Sequence, residues 1–265
     1  MYRCGKGIDD TTHYPSVVDY ELIWGDILKV STITNSSFIP IADPALSKVP
    51  SYIKKSTRKK YRILYTPIGI SGLYSVENWL SASTYDMKEH RNWVSDLFLY
   101  AEDFLVESNA DLYIKIKGFD YELFDGYEYM LFPSFMFHKL KPQYLITKTS
   151  DFYTKHMDLH VFCGPSTTFA QSMAFNIPSI CLWDVTTYQV KKEYEELYKE
   201  LQHVGIIVSD SENFHSALKS RLYTDTWWSP AVQSARRRFC NNFASHSKDW
   251  SNILNNAFLA NHGLT

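Results

Sequence analysis

Three groups of residues in this sequence have types and spacings suited to chemistry. The first is Gly164-Pro165-Ser166-Thr167-Thr168, a glycine-started turn that runs into three hydroxyl residues. Ahead of a helix, such a turn offers unpaired backbone N–H groups, the positive end of the helix dipole and side-chain donors, all of which suit a phosphate. The same hydroxyls can serve as a helix cap and nothing more, and the residues alone leave the two readings level. The second group is Lys115 and Lys117, which alternate along a strand-like run and so point the same way. They suit the charge that develops on a leaving phosphate, or else they line a solvent-facing strand edge. The third group is Asp9, Asp10 and His13, candidates for acid–base work, although ionisable residues in a terminal loop are more often simply solvated.

Other chemistries are disfavoured by what the pattern lacks. There is no G-x-x-x-x-G-K-[ST], no G-x-G-x-x-G and no D-x-D to hold a metal. Cys4, Cys163, Cys181 and Cys240 show no C-x-x-C spacing, and Cys163 and Cys181 stand in apolar runs, so neither zinc nor a disulfide framework is expected. The formal net charge is -2, which favours no nucleic acid; the basic clusters at Lys54 to Lys60 and Arg236 to Arg238 read as solvated surface. No run of ~20 apolar residues occurs and the first residues, MYRCGKGIDD, have no apolar core. The expectation is a cytoplasmic protein with no transmembrane segment, peripheral membrane association being left open.

The elements that must position these groups follow from periodicity. At 265 residues and 45% hydrophobic, the chain can bury a sizeable core. Leu159 to Cys163 is an apolar strand, Phe169, Ala170, Met173 and Ala174 recur at helical spacing, Asn176 closes that helix and Ser179 to Trp183 is a second strand, a βαβ unit. Further strands are expected at Tyr61 to Pro67, Asp111 to Lys117, Gln143 to Thr147 and Ile206 to Val208. Helices are expected along Trp93, Leu97, Tyr100, Ala101, Phe104 and Leu105, from Ser150 to His156, around Glu193 to Val204 and from Ser211 to Leu222. The tail reads as two helices, one with Val232, Ala235, Phe239 and Phe243 on one face. Alternation of this kind predicts an α/β fold: a Rossmann-like parallel sheet with helices on both faces and a helical C-terminal tail. Residues 61–265 form this domain. Residues 1–60 form an N-terminal segment, with a short helix from Tyr20 to Ile33 that includes Trp24, and a strand from Phe38 to Ile41.

Met157-Asp158-Leu159-His160-Val161, the turn Gly164-Pro165-Ser166-Thr167-Thr168, and Pro178-Ser179-Ile180 with Asp184 resemble the donor-binding C-terminal half of GT-B transferases. The likeness runs from about Arg62 to Asp184 and is greatest to bacterial surface-carbohydrate transferases, the polysialyltransferase-like and CDP-glycerol glycerophosphotransferase-like enzymes. It implies that Gly164, Ser166, Thr167 and Thr168, helped by Lys117, hold the donor phosphates, and that Gln171, Ser71, Gly72 and Lys115 lie near the nucleotide or ribose. It also implies a nucleotide-activated sugar as substrate, a carbohydrate acceptor, no cofactor and no metal. Three departures stand out. Gly118-Phe119 replaces a His-Pro that follows the corresponding strand, Gln171 replaces a ribose-binding glutamate, and residues 1–60 can supply only the end of an acceptor-side domain. The expected function is thus a nucleotide-sugar-dependent glycosyltransferase, or its donor-binding domain, in surface-polysaccharide biosynthesis. A GT-B-type nucleotide-sugar epimerase and a non-catalytic binding or assembly module are the alternatives.

Overall fold

The computed structural model describes residues 20–24, 37–41, 60–67, 87–117, 139–147, 157–183, 190 and 192–244, with 251–252, 255–256 and 259 in the tail. Two sheets are present among them. β1 (Tyr20–Trp24) pairs in parallel with β2 (Ser37–Ile41). The helix expected from Tyr20 to Ile33 is therefore corrected at its start: YELIW is extended, and pairing with SFIPI gives its backbone the partners that helical turns would otherwise supply.

The larger sheet holds β3 (Tyr61–Thr66), β4 (Ala110–Lys117), β5 (Gln143–Thr147), β6 (Leu159–Cys163), β7 (Ser179–Leu182) and β8 (Ile207–Val208). Its spatial order is β5-β4-β3-β6-β7-β8, with every pair parallel. Counted from β3, that is the 3-2-1-4-5-6 order of dinucleotide-binding sheets, and the direction of winding reverses between β3 and β6. Every residue of β6 and of β7 is buried, as strands covered on both faces must be.

Two helical layers cover the sheet. On one face α1 (Met87–Tyr100), α2 (Glu102–Glu107) and, later in the chain, α5 (Ser211–Tyr223) close over Ile63, Tyr65, Leu112, Val161 and Leu182. On the other, α3 (Thr167–Ala174), α4 (Glu195–His203) and α6 (Pro230–Phe243) close over Phe162 and Cys181. The long helix expected through Leu105 is interrupted at Ala101, and its apolar face is Val94, Leu97, Phe98, Ala101 and Leu105. Tyr100, expected on that face, is 56% exposed, its ring set edge-to-face with that of His215. Val232, Ala235, Phe239 and Phe243 are all buried along α6, as their spacing predicts. The helix expected from Ser150 to His156 lies outside the described residues.

Candidate functional site

The carboxyl end of β6 carries the turn expected to do the chemistry. Gly164 continues the sheet ladder, its N–H donating to the Leu182 carbonyl at 2.9 Å, and then turns at a φ of 90°. That backbone suits glycine, since an L side chain rarely adopts it. A Cβ built there would meet nothing within 4 Å, so the turn has open space on that side. Because the Gly164 N–H belongs to the sheet, glycine here contributes shape and access rather than a donor.

Ser166 is the N-cap of α3. Its backbone is extended (φ -111°, ψ 168°), its Oγ accepts from the Phe169 N–H at 3.2 Å and its carbonyl accepts from the Ala170 N–H at 3.0 Å. The cap reading is thus correct for Ser166, and it does not exclude the anion reading. The hydroxyl accepts in the cap and keeps its own O–H to donate, and the residue is exposed. The N–H groups of Thr167 and Thr168 precede the first intrahelical donor, that of Ala170, and point along the helix axis away from α3. Gln171 lies one turn further on and is half-buried, as is Thr168.

Other side chains fix α3 against its surroundings. His160, wholly buried in β6, is 3.0 Å from the Ser172 Oγ through Nδ1 and ties strand to helix. At the far end of the helix, Asn176 adopts a φ of 57°, and its Oδ1 accepts from Trp227 Nε1 at 3.0 Å and Gln233 Nε2 at 2.9 Å. Arg236 Nη1 donates to the Met173 carbonyl at 2.6 Å, placing a cation at the negative end of the helix. Burial lowers the pKa of Arg236, and Arg237 adds to that effect while Cys240 opposes it. Nothing in the sequence pattern flagged Asn176, Trp227, Gln233 and Arg236 as partners; they are brought together only by packing of α6 on α3.

Asp158, which leads the strand before the turn, is at the opposite end of β6. Its Oδ2 accepts from the Arg62 N–H at 2.9 Å and its own N–H donates to the Arg62 carbonyl at 2.8 Å, so it registers β6 against β3. Lys115 and Lys117 lie on β4, which pairs with β3 and β5 in the described sheet, and Lys115 is half-buried. Leu112 and Ile114 pack under α1, and alternation puts Lys115 on the other face, that of α3. Lys117 is the last residue of β4, at the same end of the sheet as the turn and two strands, about 10 Å, from β6. Asp9, Asp10, His13, Ser71, Gly72, Gly118, Phe119 and Asp184 lie outside the described residues.

The thiols of Cys163, Cys181 and Cys240 are buried and not in disulfides. Burial, with Cys163 adding, pushes the Cys181 thiol well above its usual value, and burial raises Cys240 to about 11 against the opposing Arg236. Among the described residues, no group of three or more His, Cys, Asp or Glu is arranged to hold a metal ion. Nor is any helix among them long and apolar enough to cross a membrane.

The fold and this turn define a Rossmann-like α/β unit with a helix N-terminus set at its switch point. Residues 146–258, which include the turn and the helices that follow it, match the model of the LIC12162 family transferase. No curated protein matches the sequence. Among solved structures, the chain is similar to the glycosylation-associated Gap123 complex of Streptococcus agalactiae (9% identity, 91% of this chain and 44% of that chain, TM-score 0.49). It is similar also to the rhamnosyltransferase SpnG bound to thymidine diphosphate (13%, 92% and 56%, TM-score 0.43). A third likeness is to a UDP-N-acetylglucosamine 2-epimerase described from Listeria monocytogenes (7%, 86% and 54%, TM-score 0.46). The chain spans about half the length of these structures.

Proposed function

We propose that this chain is the donor-binding part of a nucleotide-sugar-dependent glycosyltransferase of the GT-B type, working without a metal in cytoplasmic synthesis of surface polysaccharide. The observation that carries the reading is the placement of Gly164 to Thr168. Ligands of open α/β sheets bind outside the carboxyl ends of the strands where the winding reverses, and here that place is filled by a glycine turn and a helix N-terminus. The transferase family matched by residues 146–258 supports the same class of reaction.

In this reading the Thr167 and Thr168 N–H groups and the Ser166 and Thr167 hydroxyls hold the donor phosphates. They stabilise the negative charge that grows on the leaving nucleotide as the sugar departs to a carbohydrate acceptor. Lys117 reaches the same end of the sheet from β4 and adds a cation. Gln171 faces the ribose as a neutral acceptor, with Lys115, Ser71 and Gly72 completing the nucleotide pocket.

The test is a thermal-shift panel of CMP, CDP, UDP, GDP and their sugars on the full chain, alongside a Ser166→Ala/Thr167→Ala variant. A ligand at ~100 times its Kd stabilises the folded state by about 2.7 kcal/mol. The double variant should lose two charge-assisted hydrogen bonds, each worth about 1.5 to 3 kcal/mol, and bind at least ~10-fold more weakly. Its fold should lose only about 1 kcal/mol from the missing cap. Equal binding by parent and double variant would leave capping as the whole role of the turn. Bound nucleotide separates this reading from a non-catalytic module that binds none, and sugar transfer rather than epimer release separates it from an epimerase.

A further inference from the structure

Thr66 ends β3 and is level with Phe162 of β6 across the two strands between which the sheet reverses its winding. Ile63 and Tyr65 point into the core under α1 and α5, so alternation turns Thr66 to the other face, where Phe162 packs under α3. Thr66 thus borders the switch point from β3 as Gly164 and the start of α3 border it from β6. Its Oγ1 is shielded from solvent and has no hydrogen-bond partner among the described residues.

A hydroxyl in that condition weakens a fold, and valine, with the same shape and a higher strand preference, would suit a purely structural position better. Buried polar groups without partners are uncommon, and each asks for a use. The open space beside Gly164, two residues beyond the Phe162 that is level with Thr66, offers one.

We infer that Thr66 is a further donor-binding residue, its hydroxyl donating to a phosphate oxygen of a nucleoside diphosphate held at the turn from Gly164 to Thr168. Both strands that flank the switch point then contribute to the ligand, β6 through the turn and helix and β3 through one shielded hydroxyl. The inference rests on the donor-binding reading above and adds a residue to it.

The experiment is calorimetric titration of the full chain with CDP, UDP, GDP and TDP, using Thr66→Val and Thr66→Ser, with melting temperatures measured alongside. Thr66→Val should bind ~10-fold more weakly, about 1.4 kcal/mol, while melting at the same temperature or higher. Thr66→Ser, which keeps the hydroxyl, should bind as the parent does. If Thr66→Val binds like the parent while Ser166→Ala/Thr167→Ala does not, Thr66 is no ligand and the turn reading stands. A lower melting temperature for Thr66→Val would assign the hydroxyl to the fold and overturn the inference. Binding of none of the four nucleotides by the parent would remove both readings together.

Discussion

Ser166 is in two relationships at once, as acceptor in a helix cap and as an exposed hydroxyl that can donate outward. The cap uses a lone pair of this oxygen and the proposed phosphate contact would use its O–H, so the two are compatible. Cys240 makes a separate prediction at this scale. Its folded thiol titrates near 11, above the 9.0 of a free thiol, so the unfolded chain loses that proton first. The stability it contributes is whole below pH 9 and is lost as pH rises toward 11, by about 3 kcal/mol in all. Urea unfolding of the parent and of Cys240→Ala from pH 8 to 11 should show the parent losing this increment and the variant lacking that part of the slope. Parallel pH profiles for the two proteins would refute the assignment.

Among the elements, α3 decides most. A helix of eight residues is too short to hold itself, so its direction is set by what grips it. Ser166 satisfies the first turn, His160 meets Ser172 midway, and Asn176 with Arg236 closes the end. Asn176→Ala should be destabilising by about 2 to 4 kcal/mol, combining a left-handed backbone that alanine resists with the loss of an acceptor for Trp227 and Gln233. Asn176→Gly keeps the backbone without strain and should recover about 1 kcal/mol of that. Denaturant midpoints for the two variants provide the check, and an equal loss in both would mean that the backbone conformation contributes nothing.

For the whole molecule, the described residues contain one large sheet of nucleotide-binding order and one two-stranded sheet. In the proposed function the first holds the donor. Orienting an acceptor against it is a second task, and it supplies much of the barrier reduction in a two-substrate transfer. We expect the purified 265-residue chain to bind nucleotide but to transfer sugar slowly or not at all, measured by release of nucleotide with and without a carbohydrate acceptor. Brisk transfer by this chain alone would direct attention to Asp9, Asp10 and His13 as the acid–base groups.

The periodicity of the sequence was sufficient for six strands of the large sheet, because strands buried on both faces, such as β6 and β7, read as apolar runs, β4 alternates, and a short run of either kind bounded by turn residues has few other fates. It was sufficient also for the buried face of α6 and for the turn at Gly164, where a glycine and three hydroxyls are adjacent in the chain. It misread YELIW, whose partner SFIPI lies across a connection that no local pattern encodes, and it set Tyr100 on a buried face because helical spacing alone does not say where a helix breaks. Tertiary structure alone decided the rest. The strand order places Thr66 beside β6, 96 residues further along, where Asp158 meets Arg62, and packing of α6 brings Arg236 to the Met173 carbonyl. Hydrophobic spacing specifies that a face is buried, but not against which element, so contacts distant in sequence are settled only when the sheet closes.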